Sequence, residues 1–273
     1  MKTKTYVITG SSSGIGNALV KRLAPGNIVF AGYRNYLHEK DLRLISPNVY
    51  PFYVDYTIPE TIQEAGEYIL SKCTKIDTLI NIAGCVVAGP VEYLNIDEVR
   101  RQFDVNVFGH LDLSQRLMPI LEEGRIINVS SMASFGIFPF ISPYCASKRC
   151  LDMFFNSLLI ENKKNIKVIS IKPGVISTPL WEKSIKENSK YFEKYQEYLE
   201  EMQYVLKNAK KNETSGLSVE KVVDVILKAD MAKNPKLSYT VGGDALVAKF
   251  ISKLPQNIIN RLIRLGIKFR IEK

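Results

Sequence analysis

The sequence predicts an α/β protein whose core is a parallel sheet of about seven strands with helices on both faces. Short apolar runs alternate with amphipathic segments along most of the 273 residues, a pattern typical of parallel sheets. Near its start, the chain passes from an apolar run through a glycine-rich turn into a helical pattern. Most apolar runs also end in a glycine or a polar residue. Since no linker or compositional break is visible, we expect a single domain over residues 1–273.

The apolar runs and the amphipathic segments place the individual elements. Strands are predicted at residues 6–9, 28–32, 49–54, 76–82, 125–129, 166–171 and 237–241. Helices are predicted at residues 60–72, 97–120, 143–163 and 217–231. Apolar residues also recur at helical spacing over about residues 180–216, which are expected to form a lid. About residues 247–273 are expected to form a basic amphipathic tail.

The composition excludes several classes of protein. The four cysteines form no Cys-x-x-Cys pair and there are only two histidines, so we expect reduced thiols and no metal site. No leader peptide or bilayer-spanning run is visible, and we expect a cytoplasmic protein. Residues 247–273 hold seven cations and one acid, so the tail carries +6 of the net charge of +9. The nearly balanced remainder has no basic stripe interleaved with aromatic residues, and no nucleic-acid partner is expected.

The first predicted strand leads into a glycine-rich loop. Its residues are Gly10, Ser11, Ser12, Ser13, Gly14, Ile15 and Gly16, and a helical pattern follows them. In this context glycines permit a tight turn and bring the backbone close to the pyrophosphate of a dinucleotide, whose charge lies at the helix N-terminus. The alternative is a generic turn into a helix.

Arg34 follows the second predicted strand, at the position that faces the adenosine ribose in dinucleotide-binding folds. A protein that prefers NAD usually has an acid there, whereas an arginine accommodates the 2′-phosphate of NADP. Ser12 could add a hydroxyl contact to the same phosphate. The pattern therefore favours NADP(H) as the cofactor, and the alternative is that Arg34 is a solvated surface residue.

Tyr144 and Lys148 lie four residues apart, so on a helix they share one face. An unperturbed phenol has a pKa of about 10, and a nearby ammonium would lower that pKa by stabilising the phenolate. Ser142-Pro143 indicates a cap followed by proline, which places Tyr144 in a first turn where the helix dipole also favours an anion. Taken alone, the two residues could equally be a chance pair on an exposed helix face.

The ends of the predicted strands bring polar residues and glycines to one edge of the sheet. These residues are Thr9-Gly10, Arg34, Asp55, Asn81-Ile82-Ala83-Gly84, Ser130-Ser131 and Pro173-Gly174. In parallel α/β sheets, ligands bind outside the carboxyl ends of the strands. This repeated placement favours a functional role for the tyrosine and lysine over chance.

Together these motifs resemble the classical short-chain dehydrogenases/reductases, over about residues 4–181 and 217–245. The matching residues are Thr9–Gly16 (Thr-Gly-x-x-x-Gly-x-Gly), Asp55, Asn81–Gly84 (Asn-x-Ala-Gly), Asn106, Ser131, Tyr144–Lys148 (Tyr-x-x-x-Lys), Pro173-Gly174 and Thr178. Ile82 departs from the pattern, because asparagine is commoner there. The strand end Tyr33-Arg34-Asn35 and the long lid look most similar to the NADP-dependent 17β-hydroxysteroid and retinol dehydrogenase branch.

The resemblance implies a single-domain Rossmann fold and a role for each matched residue. Tyr144 would act as acid or base at the substrate oxygen, Ser131 would bind that oxygen, and Lys148 would hold the nicotinamide ribose and depress the pKa of the tyrosine. Ser131, rather than Ser130, stands at the family's spacing of thirteen residues before the tyrosine. Asn106 would anchor a water that links the lysine to solvent. The implied cofactor contacts are Gly10, Ser12, Ser13, Gly14, Ile15, Gly16, Arg34, Asp55, Asn81, Ala83, Gly84, Tyr144, Lys148, Pro173, Gly174, Val175 and Thr178.

The lid region carries the information on the substrate. Apolar and aromatic residues recur there at helical spacing, at Tyr191, Phe192, Tyr195, Tyr198, Leu199, Met202, Val205 and Leu206. Such a lid indicates a bulky hydrophobic alcohol or ketone, and the alternative is that the stripe packs on the body or on a neighbouring subunit. The opposite wall could be lined by Phe135, Phe138, Phe140 and Val86. We expect Trp181 to pack at the lid hinge, with contact to the substrate as the alternative. We expect His110 to pack or face solvent without a catalytic role.

The tail combines its cations with apolar residues at helical spacing. The apolar residues are Phe250, Ile251, Leu254, Ile258, Ile259, Leu262, Ile263 and Ile267. Three interpretations stay open: peripheral contact with an anionic membrane, closure over the active site or a partner subunit, and an ordinary packed helix with a solvated basic face. By resemblance to the family, a homodimer or homotetramer is expected.

These features give three functional hypotheses. The first is an NADP(H)-dependent oxidoreductase that interconverts a hydrophobic secondary alcohol and its ketone, such as a steroid, a retinoid-like compound or another lipid. The second is a 3-oxoacyl thioester reductase, whose acidic carrier the basic tail could attract. The third is a non-catalytic NADP-binding regulator, which the presence of both Tyr144 and Lys148 disfavours.

Overall fold

Seven parallel strands form one sheet in the order β3-β2-β1-β4-β5-β6-β7. The computed structural model describes residues 3–194 and 196–271, with backbone only at 189–194, 196, 213 and 267–271. The strands are β1 (Thr5–Ile8), β2 (Ile28–Tyr33), β3 (Val49–Tyr53), β4 (Thr78–Asn81), β5 (Arg125–Val129), β6 (Lys167–Pro173) and β7 (Ser238–Val241). The predicted parallel sheet of about seven strands is confirmed.

Helices connect the strands and cover both faces of the sheet. The helices in the described part of the chain are α1 (Gly14–Leu23), α2 (Glu39–Arg43), α3 (Pro59–Lys72), α4 (Ile96–Phe103), α5 (Gly109–Leu117), α6 (Ser142–Glu161), α7 (Leu180–Lys194), α8 (Leu199–Ser215), α9 (Val219–Met231), α10 (Gly243–Ile251) and α11 (Gln256–Ile271). This is the doubly wound arrangement that the alternation of apolar runs and amphipathic segments predicts.

Two hydrophobic cores sandwich the sheet because side chains alternate along each strand. In β1, Tyr6 and Ile8 point into one core, where α1, α2 and α9 pack. Val7 points into the other core, where α3, α5 and α6 pack. Strands buried on both faces explain why their sequences are continuous apolar runs rather than alternating ones.

The order of the strands fixes where a ligand can bind. The chain runs outward from β1 through β2 to β3, then returns to β4 on the other side of β1. Ile8 lies between Ala31 of β2 and Ile80 of β4. The loops after β1 and β4 therefore diverge at the carboxyl edge, and the crevice between them is the expected binding position in open α/β sheets.

The predicted single helix over residues 97–120 is instead two helices separated by a wider π-helical turn at Asp104–Phe108. Asn106 lies in this turn, and its side chain bonds to the backbone of the loop after β4. Its Nδ2 donates to the Cys85 carbonyl at 3.0 Å, and its Oδ1 accepts from the Cys85 N–H at 2.9 Å. Such turns commonly mark functional positions.

The lid and the tail form a second helical layer at one end of the molecule. Helices α7 and α8 pack against each other, and α11 contacts α8. Helix α10 contacts the short segment Met132–Phe135 that follows β5. Within the ranges that the structure describes, no helix combines the length and the apolar character needed to cross a membrane.

Candidate active site

A cavity of about 990 Å³ lies at the carboxyl edge of the sheet. The glycine-rich loop and Arg34 line one end of it, Tyr144 and Lys148 line the middle, and residues of α7, α8, α10 and α11 line the other end. The strand ends that the sequence places at one edge thus surround a single cavity.

The glycine-rich loop forms a cradle in which backbone groups approach closely. Gly10 has a positive φ of 65°, and a Cβ there would lie 2.9 Å from the Ala83 nitrogen. A Cβ on Gly16 would lie 2.2 Å from the Gly10 carbonyl oxygen. Helix α1 begins at Gly14, its first turn has no acidic residue, and the side chain of Ser13 makes no capping hydrogen bond. The free N–H groups of this turn fit the pyrophosphate of a dinucleotide.

The loop residues contribute unequally to the cavity. Gly10, Ser12, Ser13, Gly14 and Ile15 line it. Gly16 is buried behind the loop and serves the turn through its lack of a side chain, so a direct cofactor contact from Gly16 stays a prediction.

Arg34 and Asp55 flank the outer end of the cavity at the ends of β2 and β3. Arg34 is exposed, lines the cavity, and forms no ion pair with any residue whose side chain is described. The Asp55 carboxylate accepts hydrogen bonds from Thr57, at 3.0 Å from the backbone N–H and 2.7 Å from the hydroxyl. An unpaired guanidinium beside the cradle fits an additional phosphate group on the ribose.

Of the motif Asn81–Gly84 at the end of β4, some residues line the cavity and one is buried in the core. Ala83 and Gly84 line the cavity. Asn81 does not: its side chain is fully buried, and its Nδ2 donates to Asn128 Oδ1 at 2.9 Å. The Asn81 side chain therefore faces the core at β5, and a contact between Asn81 and the cofactor stays a prediction.

Tyr144, Lys148 and Ser131 all line the middle of the cavity. Tyr144 lies in the first turn of α6, as predicted, but this helix begins at Ser142 itself and the capping position is Ile141. Ser131 follows β5, and its hydroxyl oxygen accepts from the Ala133 N–H at 3.1 Å. The neighbouring Ser130 hydroxyl is buried and faces the Lys148 carbonyl at 3.5 Å. Ser131, rather than Ser130, is the serine whose hydroxyl acts on the pKa of Tyr144.

Lys148 is buried one turn beyond Tyr144. Its Nζ donates to the Val129 carbonyl at 2.9 Å and lies 5.9 Å from the centre of the Tyr144 ring. Burial disfavours the ammonium and lowers the pKa of Lys148 to about 8, although the Asp152 carboxylate acts in the opposite direction. A lysine of this kind holds its charge at neutral pH and loses it at moderately alkaline pH.

The expectation of a depressed tyrosine pKa is wrong for this structure. Burial raises the pKa of Tyr144 to about 12, while the nearby Ser131 hydroxyl acts to lower it. The ammonium of Lys148 is directed at the Val129 carbonyl and does not offset the desolvation of the phenolate. At neutral pH the phenol therefore keeps its proton, as a proton donor must.

Asn106 lies behind Tyr144 and Lys148 rather than among the residues that line the cavity. Besides holding Cys85, its Nδ2 donates to Ser147 Oγ at 3.0 Å, on the same helix as Lys148. A Cβ on Gly84 would lie 3.3 Å from Asn106 Oδ1 and 3.7 Å from Lys148 Nζ. The role of Asn106 as a water anchor stays a prediction.

His110 has a structural role next to the cradle that the sequence left unassigned. It is fully buried, and its Nε2 lies 2.8 Å from the Ala83 carbonyl oxygen. Burial lowers the pKa of His110 to about 3, so the ring is neutral and Nε2–H must donate to that carbonyl. The ring also packs edge-on against Tyr56. The sequence feature that could have indicated this role is the spacing of four residues between Asn106 and His110, which on a helix puts both on one face.

The far end of the cavity is mostly apolar. The predicted wall residues Phe135, Phe138, Phe140 and Val86 all line the cavity. Pro173, Gly174, Val175, Thr178 and Trp181 line it as well. Thr178 is close to the cradle, because a Cβ on Gly14 would lie 3.5 Å from its Cγ2. Trp181 packs at the start of α7, where its indole N–H donates to the Ile176 carbonyl at 2.7 Å. Of the lid stripe, Val205 lines the cavity and Met202 is fully buried. The side chains of Tyr191, Phe192 and Tyr195 lie outside the described residues.

The tail reaches the same cavity. Five of its large apolar residues line it, namely Val247, Ile251, Ile259, Leu262 and Ile263. This placement is the one expected for closure over the active site, and it leaves the exposed face of the tail open to a membrane or a subunit. The side chain of Ile267 lies outside the described residues.

A dinucleotide cradle that opens onto a tyrosine, a lysine and a serine is the arrangement of an oxidoreductase site, in which a bound nicotinamide would supply or accept the hydride. A family model described as short chain dehydrogenase matches residues 4–189. The chain belongs to this family, and it is an oxidoreductase that acts on CH–OH and C=O groups.

Relatives extend the match over nearly the whole chain. The chain is 31% identical to the NADPH-dependent 3-dehydrocapnine reductase of Ornithobacterium rhinotracheale, with 96% of each chain covered. It is 29% identical to the 3-ketodihydrosphingosine reductase of Bacteroides thetaiotaomicron, covering 99% of this chain and 100% of the relative. A short chain dehydrogenase of Burkholderia cenocepacia in complex with NADP has a TM-score of 0.74 at 22% identity, covering 96% of this chain and 98% of that chain.

Proposed function

We propose that this protein is an NADP(H)-dependent reductase of a hydrophobic, long-chain ketone, which it interconverts with the secondary alcohol. The observation that carries the proposal is the continuity of one cavity. It runs from the cradle and Arg34, past Tyr144, to the apolar residues of the lid and the tail. Hydrophobic pocket walls with a few placed polar groups are what a lipid ketone requires.

The cofactor part of the proposal rests on the cradle and on Arg34. The backbone N–H groups of the loop would bind the pyrophosphate, and Arg34 would bind the 2′-phosphate of NADP(H). When bound, the nicotinamide supplies the hydride. The NADPH dependence of the relative from Ornithobacterium and the NADP bound in the structure from Burkholderia support this choice over NAD(H).

The proton in the reduction would come from Tyr144. Its hydroxyl faces the cavity, and with a pKa of about 12 it is protonated at neutral pH. Ser131 would donate a second hydrogen bond to the same carbonyl oxygen, where negative charge develops during reduction. A positioned proton donor of this kind contributes about 10²- to 10⁴-fold to the rate.

Lys148 would hold the nicotinamide ribose and return a proton to the tyrosine. Its ammonium is buried beside the cavity and is oriented by the Val129 carbonyl. A water anchored by Asn106 would connect the lysine to solvent, as the family resemblance implies. Asp55, Ala83, Gly84 and the segment from Pro173 to Thr178 would complete the cofactor contacts.

The substrate is proposed to be a long-chain lipid ketone. Two relatives that align over nearly the whole chain are named as reductases of a 3-dehydro or 3-keto compound. A steroid or retinoid-like ketone and a 3-oxoacyl thioester stay as alternative substrates. We also propose a homodimer or homotetramer, and peripheral membrane contact through the tail.

A carbonyl panel tests this function. Purified protein is mixed with NADPH and with 3-ketodihydrosphingosine, a steroid ketone or a 3-oxoacyl thioester, and the loss of NADPH absorbance is recorded. We expect the highest kcat/KM for the long-chain lipid ketone. Preference for the thioester would support the second hypothesis. Tight NADPH binding with no turnover of any member would contradict the proposal and support a regulator.

A further inference from the structure

The surface of α10, α11 and the turn between them carries a dense set of exposed apolar side chains. We call it the tail patch, and it consists of Leu246, Val247, Phe250, Ile251, Leu254, Ile258, Leu262 and Leu265, each between 38% and 76% exposed. Single exposed apolar residues are normal, but eight within twenty consecutive residues mark an interaction surface.

Cations surround the tail patch and acids are absent from its sequence. Residues 245–271 contain six lysines and arginines and no aspartate or glutamate. Lys249, Lys253, Arg261 and Arg264 are all exposed. The Lys253 ammonium lies 5.4 Å from the centre of the Phe250 ring, so charged and apolar groups are interleaved. Apolar and aromatic residues bordered by lysines and arginines are the signature of helices that lie on anionic bilayers.

The tail patch is continuous with the active-site cavity. Val247, Ile251 and Leu262 are exposed to solvent and also line the cavity. Ile259 and Ile263 also line the cavity and are less exposed than these three residues. An apolar path therefore connects the outer surface of the tail helices with the far end of the cavity.

We propose that the tail patch docks on an anionic lipid bilayer and that the ketone substrate enters the cavity directly from that bilayer. The patch would rest in the interface between headgroups and acyl chains, with the cations at the phosphate level. The rim of Val247, Ile251 and Leu262 would then pass the acyl chain inward without exposing it to water. The docking is inferred from the exposed residues of the tail patch and does not depend on the proposed function. The route of the substrate does depend on the proposed function, because it requires a lipid ketone as the substrate.

The charge of the surface argues for a bilayer rather than for a second copy of this chain. A two-fold contact through the tail patch would place two acid-free, cationic segments against each other, and like charges at such an interface are unfavourable. Helix α11 has sixteen residues and is thus about 24 Å long. It is too short to cross the hydrocarbon core and has arginines near its middle, as suits a helix that lies in the membrane plane.

Vesicle sedimentation tests the docking. The full-length protein is mixed with vesicles of phosphatidylcholine alone or of phosphatidylcholine with phosphatidylglycerol, without cofactor or substrate. We expect at least about tenfold stronger partitioning onto the anionic vesicles. The double variant Phe250→Glu/Leu254→Glu should lose that partitioning, and Lys249→Gln/Lys253→Gln should weaken it by about tenfold or more. Neither pair lines the cavity.

Met231→Glu is the matched control, because Met231 is 73% exposed at the end of α9, away from the tail patch. It should bind vesicles like the wild type. Equal binding of the wild type to both vesicle types would overturn the docking, and so would undiminished binding of the Phe250→Glu/Leu254→Glu variant. A wild-type dimer in light scattering that becomes a monomer in this variant would assign the patch to a second copy and also overturn it.

The route of the substrate has its own measurement. The same long-chain ketone is presented either in detergent micelles or in anionic vesicles, and NADPH oxidation is recorded. We expect Phe250→Glu/Leu254→Glu to retain turnover in micelles and to lose it in vesicles. Equal losses in both would contradict the route. Vesicle binding by a wild type that reduces no ketone in micelles would instead refute the proposed function and leave the docking intact.

Discussion

Arg34 is the residue that sets cofactor preference in this account. We expect Arg34→Asp to lower kcat/KM with NADPH by about tenfold or more and to raise it with NADH. The carboxylate would repel the 2′-phosphate, whereas it could accept hydrogen bonds from a free ribose hydroxyl. Steady-state kinetics with both cofactors measure the effect. Lys40→Asp, an equal charge change at an exposed residue nearby, should change neither value. Unaltered cofactor preference in Arg34→Asp would refute the role of Arg34.

The pKa of Lys148 predicts how ketone reduction depends on pH. Its ammonium loses the proton above a pKa of about 8, whereas Tyr144 keeps its proton up to about 12. We therefore expect kcat/KM for reduction to be flat below pH 8 and to fall above it, because the neutral lysine no longer bonds as a cation to the ribose. A profile measured with saturating NADPH checks this. A rate that rises between pH 7 and pH 9 would contradict it.

At the scale of residues, the sequence predicted that the side chains of Tyr144 and Lys148 lie close together, but it did not predict the pKa of Tyr144. The spacing of Tyr144 and Lys148 placed both on one helix face, and both line the cavity. The desolvation that raises the pKa of Tyr144 comes from neighbouring segments far away in sequence. Likewise, the burial of Asn81 depends on Asn128 of the adjacent strand, and a single segment does not contain that information.

At the scale of elements, the Asn188 side chain hydrogen-bonds helix α7 of the lid to the segment that follows β4. Its side chain is buried on α7, where Oδ1 accepts from the Ala88 N–H at 2.8 Å and Nδ2 donates to the Val86 carbonyl at 2.9 Å. Val86 and Ala88 line the cavity. The two bonds therefore hold α7 at a fixed position beside the cavity.

We expect Asn188→Ala to raise KM for the lipid ketone by about tenfold, because it leaves two buried backbone groups unpaired at a cost of about 1–3 kcal/mol each. The affinity for NADPH should stay unchanged, because the cradle is at the other end of the cavity. Substrate kinetics and NADPH titration measure the two effects separately. Glu182→Ala, at an exposed position of the same helix, is the control. An equal loss of cofactor affinity in Asn188→Ala would contradict a role limited to the lid.

The elements themselves were largely predictable, because each is specified by local periodicity. All seven strands and the helical nature of the lid followed from the spacing of apolar residues. The π-helical turn at Asp104–Phe108 did not, because it is held by the bonds between Asn106 and the backbone of Cys85. Such a contact between distant segments is not specified by the periodicity of either one.

At the scale of the whole molecule, His110 makes stability depend on pH. Its pKa is about 3 when folded and about 6.5 when unfolded. Between these values only the unfolded state binds the proton, so stability is full above about pH 6.5 and is lost as the pH falls. The slope is about 1.4 kcal/mol per pH unit. We expect His110→Gln to remove this contribution in urea unfolding measured from pH 7 to pH 4.

His38→Gln is the control for that measurement, since His38 is the other histidine of the chain and is only half-buried. It should leave the slope unchanged. The same slope in His110→Gln as in the wild type would show that the acid sensitivity of the fold has another source.

The placement of the tail also belongs to the whole molecule. The amphipathic pattern predicted helices but left their partner open, because the pattern fits a membrane, a subunit or the body equally well. The tertiary structure places Ile259 and Ile263 in the cavity and leaves Phe250 exposed. Only the assembled molecule shows that one segment has both an inner and an outer apolar face.

The central claim is that Tyr144 transfers the proton in an NADPH-dependent reduction, and the variant Tyr144→Phe tests it most directly. Titration with NADPH and recording of NADPH oxidation with the long-chain ketone are carried out on the same preparation. We predict unchanged NADPH affinity and a loss of turnover of about 10²- to 10⁴-fold, because the ring is kept and only the donor is removed. Turnover close to that of the wild type would contradict the account.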